Sequence, residues 1–186
     1  MAFAIQTQDL LMRTAELSFA ESLLAYFQRN SAFLKGVEPK RDAHFYQLEF
    51  QEAQLQRDME ALLEKTRVRF YLFLKSDPDA IIGSIALSNI VWGSFLSCFL
   101  GYRLDEKQQG KGLMTQALQA VTRFAFDTLR LHRIEANIMP RNLASRRVLE
   151  KCGFQEEGVS PKYLKINGVW EDHVHMVLLN AALEAK

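Results

Sequence analysis

Between residues 10 and 179 the spacing of apolar positions changes several times, and each change marks a new element. Leu10, Leu11, Met12 and Arg13 are predicted as a first strand. Leu17, Ala20, Leu24 and Phe27 then recur at helical spacing within 14–29, and Asn30 and Ser31 end that helix. Phe33 to Pro39 reads as a loop with proline as its brake. A second helix over about 41–65 carries Phe45, Leu48, Leu55, Met59, Leu62 and Leu63, with a solvated face of Gln and Glu between them.

From Arg67 the period drops to two: Val68, Phe70, Leu72 and Leu74 alternate with Arg67, Arg69, Tyr71 and Phe73, which predicts a strand. Residues 76–79 are predicted as a turn, 81–91 and 95–104 as strands, and 92–94 as the turn between them. Met114, Ala117, Leu118, Val121, Phe124, Ala125 and Leu129 return to helical spacing. A strand follows over 132–139 and stops at Pro140. Asn142 caps a helix that runs to about Cys152, where Gly153 supplies the left-handed residue. Residues 154–158 begin a further strand. The chain closes on a hairpin over 163–170, turned by Asn167 and Gly168, whose second arm passes through Val174, Met176 and Leu178.

The stretch 101–118 organises this order. A strand feeds a polar loop with Gly110 and Gly112, and an amphipathic helix begins at once. Glycines let backbone come close to a ligand, and the first N–H groups of a helix lack internal acceptors, so the junction suits an anion such as a pyrophosphate. Lys107 and Lys111 add positive charge. The P-loop pattern fails, because Leu113 and Met114 follow Gly112. The dinucleotide fingerprint also fails, because Thr115 stands where a small residue is needed.

Composition narrows the class. At 186 residues the chain is one domain with a substantial core, and a 48% hydrophobic share argues against disorder. A formal net charge of +1 gives no general attraction for nucleic acid or membrane. No apolar run is long enough to span a bilayer, and the N-terminus lacks a signal-peptide pattern, so a cytoplasmic protein is expected. Cys98 and Cys152 suggest no disulfide framework. His44, His132, His173 and His175 have no ligand spacing, so no metal is expected.

The glycine loop resembles the acyl-CoA pyrophosphate loop of the GNAT superfamily of N-acetyltransferases, with Lys107 where Gln or Arg is usual. Asn142, Ser145, Glu150, Lys151, Gly153 and Phe154 resemble the family's second signature. The resemblance covers about residues 4–179. It implies an α/β fold with a mixed, largely antiparallel sheet, split between its fourth and fifth strands and flanked by helices, in a single domain over 1–186. Phe33, Glu38, Pro39, Trp92, Gly93, Tyr102, His132, Asn137, Tyr163, Trp170 and His173, among others, resemble the RimJ/RimL group of ribosomal-protein N-terminal acetyltransferases, RimJ more closely. That implies acetyl-CoA as co-substrate and an α-amine of alanine or serine on a ribosomal protein as acceptor. The oligomeric state, monomer or homodimer, stays open.

By the same resemblance Tyr102, Arg103 and Leu104 would pair with the pantetheine arm. Gln109, Gly110, Lys111, Gly112, Leu113 and Met114 would hold the pyrophosphate. Asn142 and Ser145 would reach the pantetheine, and Arg146, Arg147 and Lys151 the 3′-phosphate. The usual glutamate base and tyrosine acid are replaced by Phe99 and Leu149. Ser145 is the substitute acid, Glu38, Glu171 and His173 are base candidates, and Tyr163 shapes the acceptor pocket. A weak base suffices for an N-terminal substrate: at pH 7.5 about a third of α-amines are already neutral, against roughly one lysine in a thousand. Small-molecule N-acetylation, non-catalytic acyl-CoA binding and ribosome assembly remain as alternatives.

Overall fold

A computed structural model describes residues 2–35 and 41–184. Its centre is an eight-stranded sheet: β1 (Ala4–Gln6), β2 (Leu10–Thr14), β3 (Val68–Leu74), β4 (Asp77–Val91), β5 (Ser97–Leu104), β6 (Arg133–Ile138), β7 (Gln155–Ile166) and β8 (Val169–Leu179). The spatial order is β1-β2-β3-β4-β5-β6-β8-β7, antiparallel except for β5 against β6. The helices are α1 (Ala20–Arg29), α2 (Ser31–Leu34), α3 (Leu48–Leu63), α4 (Leu113–Asp127), α5 (Leu143–Lys151) and α6 (Ala181–Glu184). None of the described helices is long and apolar enough to cross a membrane.

Both sheet faces are covered, which explains why β3 is apolar on both sides. On one face Phe70, Ile85, Leu87, Ile134 and Met176 pack with Ala117, Leu118 and Val121 of α4 and Leu149 of α5. On the other, Tyr71, Phe73 and Ile81 pack with Leu23, Tyr26 and Phe27 of α1 and Leu55 of α3.

Several boundaries differ from the sequence reading. β1 adds an edge strand without its own hydrophobic signal, so the split expected between the fourth and fifth strands lies between β5 and β6. The helix expected from about 41 starts at Leu48, because Gln47 is extended and Asp42 instead holds a tight turn by accepting from Phe45 N–H. On α3 the polar face is interrupted: Gln51 and Asp58 are buried, while Leu63 is 66% exposed. Asp58 is held by Arg67 at 2.9 Å, Arg69 at 3.0 Å and the Tyr71 hydroxyl at 2.8 Å. The turn expected at 76–79 is displaced. Leu74 already pairs with Asp77, and 77–79 belong to β4. The strand expected at 154–158 and the first arm of the hairpin are one bulged strand, β7, against β8. Its turn puts Asn167 and Gly168 at φ 50° and 88°, as a two-residue hairpin requires.

Candidate active site

The parallel pairing of β5 with β6 covers only Ser97, Cys98 and Phe99, opposite Arg133, Ile134 and Glu135. Beyond Phe99 the strands part, and the edge of β5 from Leu100 to Leu104 faces a groove of about 350 Å³. That size suits a small-molecule site. The floor includes Leu100, Tyr102 and Leu104. Ala136 and Ile138 form the β6 wall, Asn142, Ser145 and Val148 come from α5, and Phe33, Ile166 and His173 stand at the mouth.

At one end the groove meets Gln109, Gly110 and Met114. Gly110 and Gly112 have φ of 74° and 75°, a backbone state that costs an L side chain. The turn leaves a row of amides open: from Gly110 to Thr115 the backbone N–H groups have no acceptor among the described residues, and Gln116 is the first to find one, on Gly112 O. Six consecutive donors at the start of a 15-residue helix form an anion cradle.

Residues far away in sequence hold the loop that leads into this cradle. Asp105, only 5% exposed, accepts hydrogen bonds from Arg29 Nε at 2.6 Å, Asn30 Nδ2 at 3.1 Å and Lys107 N–H at 2.9 Å. Asn30 Oδ1 accepts from Glu106 N–H at 3.0 Å. Burial by itself would raise the Asp105 carboxyl, but the bonds from Arg29, Asn30 and Lys107 hold it below the ordinary value. The sequence reading did not mark Arg29, Asn30 or Asp105; pairs some 75 residues apart leave no local signal.

On the α5 side Asn142 caps its helix by accepting from Ser145 N–H at 3.1 Å. Tyr102 donates its hydroxyl to Ser145 O at 3.2 Å, which ties β5 to α5 beneath the groove, and burial pushes this phenol up to about 12. Ser145 lines the groove.

The structure thus brings Tyr102, Arg103, Leu104, Gln109, Gly110, Met114, Asn142, Ser145 and His173 to one groove. Lys111, Gly112, Leu113 and Arg147 do not line it. Lys111 donates to Gln108, Leu113 is buried in the core, and Arg147 is exposed on α5. Arg146 is engaged by Glu150 and Glu156. Tyr163 stands behind the mouth, its hydroxyl accepting from Asn137 Nδ2 at 3.3 Å and its ring 5.6 Å from that of His173. Both carboxylate oxygens of Glu171 accept from the Arg141 guanidinium at 2.7 Å, which holds its carboxyl below the ordinary value. Glu38 lies outside the described residues. Cys152 donates to Thr115 O, and burial pushes its thiol up to about 11, which leaves little thiolate for nucleophilic chemistry.

His173 is 4% exposed, and its Nδ1–H donates to Glu171 O at 3.1 Å. A carbonyl only accepts, so in the neutral ring Nε2 carries the lone pair. No donor to Nε2 is present among the described residues.

A sequence profile of the family described as "Acetyltransferase (GNAT) domain" matches residues 9–155. The chain belongs to the GNAT family of acetyltransferases. It is 42% identical over 173 residues to the ribosomal protein uS5-alanine N-acetyltransferase of Escherichia coli, covering 91% of this chain and 87% of that one. The crystal structure of the ribosomal-protein-S5-alanine acetyltransferase from Vibrio fischeri superposes with a TM-score of 0.91 at 35% identity, covering 96% of this chain and 97% of that one. Mycobacterium smegmatis RimJ in complex with CoA-disulfide superposes with a TM-score of 0.87 at 25% identity, covering 94% and 83%. The protein is a GNAT N-acetyltransferase of the RimJ/RimL kind, and the split sheet is the family's fold.

Proposed function

We propose that this enzyme transfers the acetyl group of acetyl-CoA to the N-terminal α-amine of a ribosomal protein beginning with alanine or serine. The observation that carries the reading is the groove itself. An open strand edge, a row of six unpaired amides and residues of α2 and the β7–β8 hairpin meet at one groove. Similarity over nine-tenths of the chain to an enzyme named for the alanine of uS5 supports the acceptor.

The residues present fit acetyl-CoA. The amides of 110–115 would hold its pyrophosphate, and the β5 edge beyond its pairing with β6, at Tyr102, Arg103 and Leu104, would meet the amides of its pantetheine arm. When bound, acetyl-CoA supplies an activated acyl carbonyl. His173 Nε2 accepts a hydrogen bond from the incoming amine and so fixes the direction of its lone pair. Ser145, held by Asn142 through its backbone N–H, presents its hydroxyl to the departing sulfur as the proton source. Phe33, Leu34 and Ile166 exclude water at the mouth.

The test is acetyl-CoA turnover with mass-spectrometric site mapping. Acceptors are ribosomal N-terminal peptides starting with alanine or serine, an internal-lysine peptide and spermidine. Modification confined to the α-amine is expected. Turnover with spermidine alone would move the function to small amines, and acetyl-CoA binding without any turnover would leave only a binding protein.

A further inference from the structure

Behind the groove mouth, on the sheet face shared by α1 and α3, the register assembles a hydrogen-bonded chain from three strands. His175 Nδ1–H donates to Glu135 Oε1 at 2.7 Å, and the Ser160 hydroxyl donates to His175 Nε2 at 2.8 Å. Asn137, a groove residue, is the direct ladder partner of His175, and Ser160 is the partner of His173. The Tyr163 ring contacts both imidazoles, at 5.6 Å from His173 and 4.9 Å from His175. Serine, histidine and glutamate are thus linked end to end next to Asn137 and His173, which line the groove. Nothing in the donor machinery uses them.

We propose that Ser160, His175 and Glu135 form the proton relay of the acceptor site, with His175 as its sink. An α-ammonium becomes an amide N–H by losing two protons. The first N–H bond breaks as Ser160 Oγ, reached directly or through one water, takes that proton and passes its own to His175 Nε2. The second proton leaves the nitrogen after attack for Ser145 Oγ, as the Ser145 hydroxyl gives its own proton to the departing CoA sulfur. The imidazolium then returns its proton to solvent through half-buried Ser160.

The neighbours of the two rings differ, and His175, not His173, has a carboxylate hydrogen-bonded to its Nδ1–H. His173 is almost wholly buried and its Nδ1–H meets only a neutral carbonyl, while the nearby Glu171 carboxylate is taken by Arg141. A charge there would go uncompensated. The charged groups facing His175 are Glu135 and Arg133 from β6 and Glu157 from β7, with Tyr163 from β7 and His173 from β8 as neutral neighbours. Arg133 bridges the two carboxylates, 2.9 Å from Glu135 and 2.7 Å from Glu157. With neutral His175 these three ions carry one net negative charge, and protonation of His175 cancels it. The Nδ1–H to carboxylate bond also fixes the tautomer that leaves Nε2 free to accept, as in hydrolase triads.

The inference rests on the reading above only in needing a primary-amine acceptor, so the assay uses whichever amine the wild-type enzyme acetylates. A peptide left unmodified counts against the Nα reading, and the pH comparison on the true acceptor judges the relay. His175→Gln is expected to lower kcat/KM for the acceptor by about 10²–10⁴-fold at pH 6.5, the scale of general-base effects. The gap should narrow toward pH 9, where the amine loses its proton unaided. Glu135→Gln should follow in the same direction with a smaller effect, and KM for acetyl-CoA should stay unchanged. Ser160→Ala repeats the comparison should His175→Gln fold poorly. A deficit equal at both pH values, or none at pH 6.5, overturns the relay.

Discussion

Replacing Asp105 by Asn separates the charge of this buried carboxylate from its shape. The side chain receives three donors, and an amide can offer them one oxygen while turning its NH₂ toward Arg29 or Asn30. Breaking a buried ion pair costs about 3–5 kcal/mol. The Arg29 side chain is 37% exposed and regains water, so we reduce this to about 2–3 kcal/mol. For 186 residues that corresponds to a fall in Tm of about 4–12 °C. The pH dependence has a definite sign. The folded carboxyl titrates below its unfolded value, so its stabilisation is whole above about pH 4–5 and is lost as pH falls through the lower folded value. The assay is thermal denaturation of both proteins from pH 3 to 7, with KM for acetyl-CoA measured at pH 7. The Tm gap should be constant from pH 7 to about 5 and shrink below about 4, and KM should rise because the loop entering the amide row loses its anchor. Equal Tm values at pH 7, or a gap unchanged at pH 3, would refute the reasoning.

Gly83→Ala would place a Cβ 2.4 Å from Arg103 O, so β4 and β5 must shift at the groove floor; about 1–3 kcal/mol of stability and a raised acetyl-CoA KM are expected, by denaturant titration and kinetics. Asn142→Ala removes the α5 cap and should cost about 1 kcal/mol, read as a fall in Tm of about 2–4 °C. Asp58→Ala leaves Arg67, Arg69 and the Tyr71 hydroxyl without their shared partner beneath α3, a loss of about 3–5 kcal/mol that should lower Tm by roughly 10 °C with KM for acetyl-CoA unaltered.

The glycine loop and the helix it opens were legible in the sequence because their residues are contiguous. A strand, two glycines and a helix within 101–118 expose a row of amides through local geometry alone, and Asn142 caps the helix that carries Ser145. Periodicity located β3 and α4, and the Asn142 cap with Gly153 marked α5. It failed where tertiary contacts outweighed local pattern. β1 is three residues held by pairing with β2. The start of α3 was masked because Phe45 sits at a helical interval from Leu48 yet is buried from a separate turn. Asp58 is a helix charge until Arg67, just before β3, and Arg69 within it meet its carboxylate.

The acceptor half was legible only in part, for a topological reason. A period-two pattern shows that His173 and His175 share a face, but not which residues of β6 and β7 stand opposite. That register depends on bulges between Glu156 and Gly158 and between Ser160 and Leu164. A slip of one residue would turn Ser160 to the other face and leave His175 Nε2 without its donor. The two halves therefore answer to different constraints. On the proposed reading, contacts to CoA would be made by backbone on a fixed loop and would tolerate side-chain change away from the glycines. The acceptor face is made of side chains whose meeting depends on strand register, so a change of acceptor can arise there while the amide row and the capped α5 stay as they are.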